Sequence, residues 1–178
     1  VKKPRLLAVR LGANIAEICR NEINSAAARI ISGSVLSGRQ SSGAKGFLGR
    51  YHLQICALED DAERGFLHWL QPGSQRFSTK RLFISAFLPA RKFAMSTAAW
   101  GGRRAIFPLG TYERVMPLDI MATDLLKALA NQDTEKAREL GCLELVEEDL
   151  ALCSFVCPGK NNFGPMLRAV LQKIEKDG

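Results

Sequence analysis

Five cysteines, two histidines and a scatter of arginines are the residues of this 178-residue chain whose types and spacing could do chemistry. The thiols come closest to a pattern. Cys153 and Cys157, followed by Pro158 and Gly159, form C-x3-C-P. That is the second half of the ferredoxin-type spacing C-x2-C-x2-C-x3-C-P, in which thiolates hold iron and the proline turns the chain after the last ligand. A complete set needs thiols at positions 150 and 147, where the chain has Leu150 and Glu147. An apolar side chain cannot bind iron and a carboxylate is a poor substitute for a soft thiolate, so Cys153 and Cys157 read as vestigial cluster-motif cysteines that hold no metal. On a helix the two would share one face, about 6 Å apart along the axis, packed beneath the last helix. The alternative is a residual metal group made of Cys142, Cys153 and Cys157.

The remaining candidates are weaker. Gly33-Ser-Val-Leu-Ser-Gly38-Arg39-Gln40 resembles the phosphate loop G-x4-G-K-[ST], but Arg39 stands for its lysine and Gln40 for its hydroxyl. It is expected to be a glycine-rich connection. His52 and Cys56 lie four residues apart, which on a strand is about 13 Å and too far for one metal. His68 could act as a base, yet no partner nucleophile is marked.

Composition bounds the rest. Lys and Arg outnumber Asp and Glu by 25 to 18, and Arg76, Lys80, Arg81, Arg91, Lys92, Arg103 and Arg104 place much of the excess before the last third. A basic face fits an acidic partner or an anionic surface. Aromatics amount to 7% and no base-reading motif occurs, so no nucleic acid is expected. The apolar runs, such as Leu82 to Pro89, are too short to span a bilayer. Five cysteines without framework spacing fit a reducing, cytoplasmic setting. The start at Val1, without an initiator methionine, reads as a fragment of a longer protein.

These residues have to be positioned by two kinds of element. Arg5–Leu11 reads as a first strand. Asn14 and Glu17 then open a short helix with Ile15, Ile18, Cys19 and Ile23 on its apolar face. Arg29–Leu36, Tyr51–Leu58, Phe66–Leu70 and Arg81–Leu88 read as further strands, with a loop over 37–49. One early helix across a small mixed sheet predicts an α+β fold of the β-grasp kind over residues 1–107. From 108 to 178 the pattern turns helical. Leu125, Leu126 and Leu129 mark one helix, and Asp133 caps a second that Gly141 stops. A third runs Glu147–Phe155, and Pro165 opens a fourth carrying Leu167, Val170, Leu171 and Ile174.

Several of these runs resemble a known family. Leu109-Gly-Thr-Tyr-Glu-Arg-Val-Met-Pro-Leu-Asp-Ile120, Leu140-Gly-Cys-Leu-Glu-Leu145, Glu147–Lys160, Arg29–Arg39 and Gly49-Arg-Tyr-His-Leu53 are similar to the C-terminal part of the A subunit of Na+-translocating NADH:quinone oxidoreductases. The resemblance implies an SLBB-type (soluble-ligand-binding β-grasp) domain, then a helical domain like that of two-cluster iron–sulfur relatives, a ferredoxin-like domain that has lost its clusters. Met116 stands before Pro117 where such a relative has cysteine. It also implies a peripheral component on the cytoplasmic face of the bacterial inner membrane, in a translocase that couples NADH oxidation by ubiquinone to sodium export. Flavins and iron centres would belong to other subunits. The fragment itself would be non-catalytic and bind no cofactor, with ubiquinone as a candidate contact. Its partners would be the membrane subunits, the B subunit especially, with Arg103 and Arg104 as candidate docking residues. A pure assembly module without quinone contact is the alternative.

Overall fold

The computed structural model describes residues 1–24, 28–60, 70–88, 92–98 and 101–177. The chain divides into two units, Val1–Trp100 and Gly101–Gly178. The first is built on a three-stranded antiparallel sheet of order β2-β1-β3, with β1 at Ala28–Ser32, β2 at Arg39–Gln40 and β3 at Ile55–Glu59. In the register, Ile31 faces Gln40 on one side and Cys56 on the other. The short helix α1, Ile15–Ile18, begins where Asn14 Oδ1 accepts the Ala16 N–H at 2.9 Å, and it buries Ile15 completely. Asn14 satisfies one of the donors that a helix start leaves unpaired.

The structure corrects several strand expectations. Arg5–Leu11 joins no sheet among the described residues: Leu6 and Leu11 project into solvent, and Arg5 is held by an ion pair to Glu22. An apolar run records which residues could be strand, but a strand also needs an edge to pair with. Arg81–Leu88 closes into a 3-10 turn at Ile84–Phe87. The Ile84 N–H donates to Pro72 O at 3.0 Å, and the Phe83 ring lies over Gly73, where a β-carbon would come within 2.3 Å of it. The strand expected over 29–36 ends at Ser32, because Gly33 takes φ +99°, and the one expected over 51–58 begins only at Ile55. The loop over 37–49 contains β2, and the sheet is antiparallel rather than mixed. Residues 66–69, His68 and Arg91 lie outside the described residues.

The second unit is helical. Its elements are α2 at Ala122–Asn131, α3 at Thr134–Glu139, α4 at Ala151–Val156 and α5 at Phe163–Asp177. Leu125, Leu126 and Leu129 are fully buried together with Tyr112, Leu150, Phe163 and Leu167. Gln132 ends α2 in the left-handed region and Asp133 caps α3 by accepting the Lys136 N–H at 3.1 Å. Helix α4 starts at Ala151 rather than Glu147, since Val146–Asp149 forms a turn closed by the Asp149 carboxylate. Helix α5 starts two residues before Pro165, whose missing N–H falls in the first turn where no intrahelical acceptor exists. Ser154 Oγ accepts the Phe163 N–H at 2.9 Å and so ties α4 to the start of α5.

Helix α2 has no capping side chain of its own, because Met121 precedes it. Glu113 serves instead, its Oε1 accepting the Thr123 N–H at 3.1 Å and the Thr123 hydroxyl at 2.5 Å. The Thr123 hydrogen bond holds the Glu113 carboxyl below its ordinary value. A depressed carboxyl stabilises the fold above its unfolded-state value of 4.5 and loses that effect as pH falls through the folded one. Glu113→Ala is therefore expected to cost about 1 kcal/mol at neutral pH, like other lost caps, and the gap to the parent should close on acidification. Melting curves at neutral and strongly acidic pH decide it: a gap that persists in acid means that the carboxylate is not the cap.

Candidate functional site

Cys153 and Cys157 come to lie in the core of the helical unit, with 0% and 1% exposure. They are not equivalent. Cys153 sits inside α4 with no polar partner among the described residues, whereas Cys157 is the first residue past the helix and turns extended, at φ −62° and ψ 114°. Its sulfur meets three polar groups. The Tyr112 hydroxyl lies 3.2 Å away, the Asn161 N–H donates to it at 3.4 Å, and Asn161 Nδ2 approaches at 3.7 Å. The Tyr112 ring also stands edge-on to Phe163, with centroids 5.8 Å apart and planes at 88°.

Burial decides what these thiols can do. It pushes Cys153 from its ordinary 9.0 up to about 11, with further upward push from Glu113 and Cys157. Burial likewise raises Cys142 and, joined by the bond to Cys157, Tyr112. A thiol that stays protonated is a poor nucleophile near neutral pH. Leu150 is wholly buried in the same core, Met116 is half-buried against it, and the Glu147 carboxylate pairs with Arg168. Among the described residues, no group of three or more His, Cys, Asp and Glu side chains is placed to hold a metal.

The Cys157 turn also carries the basic residues. Residues 101–106 run beside residues 157–161: the Arg104 N–H donates to Gly159 O at 2.8 Å, and Asn161 Nδ2 donates to Arg104 O at 2.9 Å. A β-carbon on Gly159 would come within 2.8 Å of the Arg104 and Ala105 carbonyl oxygens, so only glycine permits this approach. Ile106 packs against the core, while Arg103 and Arg104 are exposed. Neither forms an ion pair among the described residues.

The other sequence candidates separate. Gly33–Gln40 is a turn leading from β1 into β2, in which Ser34 Oγ accepts the Ser37 N–H at 3.0 Å. Only the 3-10 turn Gly43–Lys45 follows it, too short to receive a phosphate as an α-helix start would. His52 Nδ1 lies 2.7 Å from the Oγ of fully buried Ser32, which also accepts the Gly49 N–H at 3.0 Å. Cys56 accepts instead from Gln54 Nε2 at 3.7 Å, so His52 and Cys56 serve different local bonds. A cleft of about 310 Å³ opens between α1 and β1, lined by Ile15, Ile30, Phe47, Ser41 and Ser42.

Tyr112 and Asn161 are the residues that sequence reasoning missed. Asn161 carried a weak signal, being four residues past the last motif cysteine and just after a Pro-Gly turn. Tyr112 carried none, since 45 residues separate it from Cys157.

Comparison with known proteins adds a second kind of observation. A family model described as the NQRA C-terminal domain matches residues 1–43. Over all 178 residues, the chain is 54% identical to the A subunit of the Na(+)-translocating NADH-quinone reductase of Actinobacillus pleuropneumoniae serotype 5b, covering 39% of that protein. The proteins of the same name from Pasteurella multocida and Hahella chejuensis are 53% and 51% identical over the same 178 residues, with 40% of each covered. The chain thus spans about two fifths of the length of the curated relatives it matches.

Proposed function

Over that shared stretch the chain belongs to the family of Na(+)-translocating NADH-quinone reductase A subunits, and from this premise we propose that it is a docking part of the peripheral component of such a complex. The observation that carries the reading is the identity of 51–54% along the whole chain. In this reading the complex passes electrons from NADH to ubiquinone and exports sodium. This chain holds no redox cofactor and contacts membrane subunits, the B subunit among them, at the cytoplasmic face. The sheet unit is of SLBB β-grasp type, and the helical unit descends from a two-cluster iron–sulfur domain whose remaining thiols have become core. The C-x3-C-P spacing of Cys153 and Cys157, both now buried in the helical core, supports that descent. No helix of the described residues is long and apolar enough to cross a membrane, which is compatible with a peripheral place. We assign no residue of this chain to quinone.

Docking is proposed to use Arg103 and Arg104, which are exposed side chains on a backbone fixed by bonds to Gly159 and Asn161. Exposed charges contribute little to folding and much to association. Reversing both, Arg103→Glu with Arg104→Glu, should reduce co-purification with the membrane subunits at moderate salt and leave the melting temperature within about a degree. Undiminished co-purification would remove these residues from the docking surface.

A further inference from the structure

Lys160 stands on the same edge as Arg103 and Arg104. Its stem runs over Gly101, where a β-carbon would lie 3.5 Å from Lys160 Cγ and 3.7 Å from Cε. Lys160 is exposed, forms no ion pair among the described residues, and has φ +55°. Left-handed backbone is costly for a residue with a β-carbon. A lysine kept in such a conformation points to use of its side chain rather than to packing. Two bulky apolar side chains follow along the same segment: Phe107 and Leu109 are 51% and 50% exposed, one on each side of Pro108, and the Leu109 N–H turns back to Phe107 O at 3.0 Å. Three cations without an ion pair among the described residues thus lie at or beside a segment that also exposes two apolar groups three and five residues past Arg104, and that backbone bonds and Ile106 fasten to the core.

The geometry points to this edge, Arg103, Arg104, Phe107, Leu109 and Lys160, as a contact for anionic phospholipid at the membrane surface. Cations meet phosphate headgroups while neighbouring apolar side chains enter the acyl boundary, the two-layer chemistry of a bilayer interface. A purely acidic protein patch would leave Phe107 and Leu109 without an apolar partner. The inference rests on the reading above only in that docking brings the chain to a bilayer, where lipid next to the membrane subunits becomes available.

The test is sedimentation of the full chain with vesicles of phosphatidylglycerol in phosphatidylcholine, against vesicles of phosphatidylcholine alone. Binding is expected only with the anionic lipid, and it should weaken as salt rises. Arg103→Gln, Arg104→Gln and Lys160→Gln together should lower partitioning about a hundredfold, at about fivefold per cation. Phe107→Ser with Leu109→Ser should lower it about tenfold through lost apolar burial, while keeping the salt dependence. Lys160→Gly separates function from fold: it should weaken vesicle binding without lowering the melting temperature. Absence of binding to anionic vesicles at low salt, or binding indifferent to the triple substitution, overturns the proposal. If charge reversal abolishes co-purification while vesicles are ignored, the edge docks on protein and the lipid inference fails. If vesicles bind and co-purification is unchanged, the lipid contact stands and the docking reading falls.

Discussion

Replacing Tyr112 by alanine should unfold most of the helical unit, whereas replacing it by phenylalanine should cost only about 1 kcal/mol. The alanine change removes a fully buried ring from the centre of the core, a class of truncation that costs about 3–5 kcal/mol. The edge-on contact with Phe163 is lost with it. Against a total stability of about 5–15 kcal/mol for a whole domain, that is most of what a small helical unit has. Phenylalanine keeps the ring and loses one hydrogen bond, whose net worth is about 0.5–1.5 kcal/mol. Cys157 does not become an orphan, because Asn161 still offers it two donors. Urea titration followed by far-UV circular dichroism separates the two variants. Equal losses would mean that the hydroxyl, not the ring, holds the site. The same burial sets an alkaline limit. Tyr112 and Cys153 both ionise later in the folded state than in the unfolded one. The Cys153 contribution is fully present below about pH 9 and is lost as pH rises through about 11, where the unfolded chain gives up a proton that the core retains; that of Tyr112 begins to fade only above its ordinary 10.0.

What the sequence disclosed follows from where the determining contacts lie. The helical half was legible because its signals are local. Leu125, Leu126 and Leu129 repeat at helical spacing, Asp133 caps its own helix and Gly141, at φ +89°, ends the next turn. The sheet half was less legible, because a strand is defined by a partner elsewhere in the chain. Arg5–Leu11 and Arg81–Leu88 have apolar residues suited to strands, yet Leu6, Leu11, Leu82 and Phe87 end in solvent. The thiol centre was half visible. Spacing singled out Cys153 and Cys157 and pointed to burial under the last helix, but it could not tell the two apart. That difference comes from Tyr112 and Asn161, placed by tertiary packing and by a turn whose geometry has no sequence period. The basic edge was visible only as Arg103 and Arg104, since Lys160 joins them through the backbone bond of Arg104 to Gly159 and the bond from Asn161 Nδ2 to Arg104 O, the last spanning 57 residues.

The two thiols should therefore answer the same substitutions in opposite order. From sequence alone, serine is expected to be worse than alanine at both positions, because a buried hydroxyl without a partner carries a desolvation cost. The structure keeps that expectation for Cys153, whose side chain makes no hydrogen bond among the described residues. There alanine should cost about 1 kcal/mol for the small void, and serine about 1–3 kcal/mol for the unmet hydroxyl. At Cys157 the order inverts. A serine oxygen would stand among the Tyr112 hydroxyl, the Asn161 N–H and Asn161 Nδ2, and keep most of their bonds. Alanine would leave the buried Tyr112 hydroxyl without its partner and the Asn161 N–H without an acceptor, at about 1–3 kcal/mol. It would also free the turn that carries Lys160 and holds Arg104, so vesicle binding and co-purification should weaken in Cys157→Ala and survive in Cys157→Ser. Four single variants, compared by denaturant midpoint and by co-purification with the membrane subunits, decide the matter. One rank order shared by both positions would show that the Cys157 contacts carry no weight. Quinone reduction lost in all four stable, fully assembled variants would instead make the thiols chemically active and end their reading as remnants.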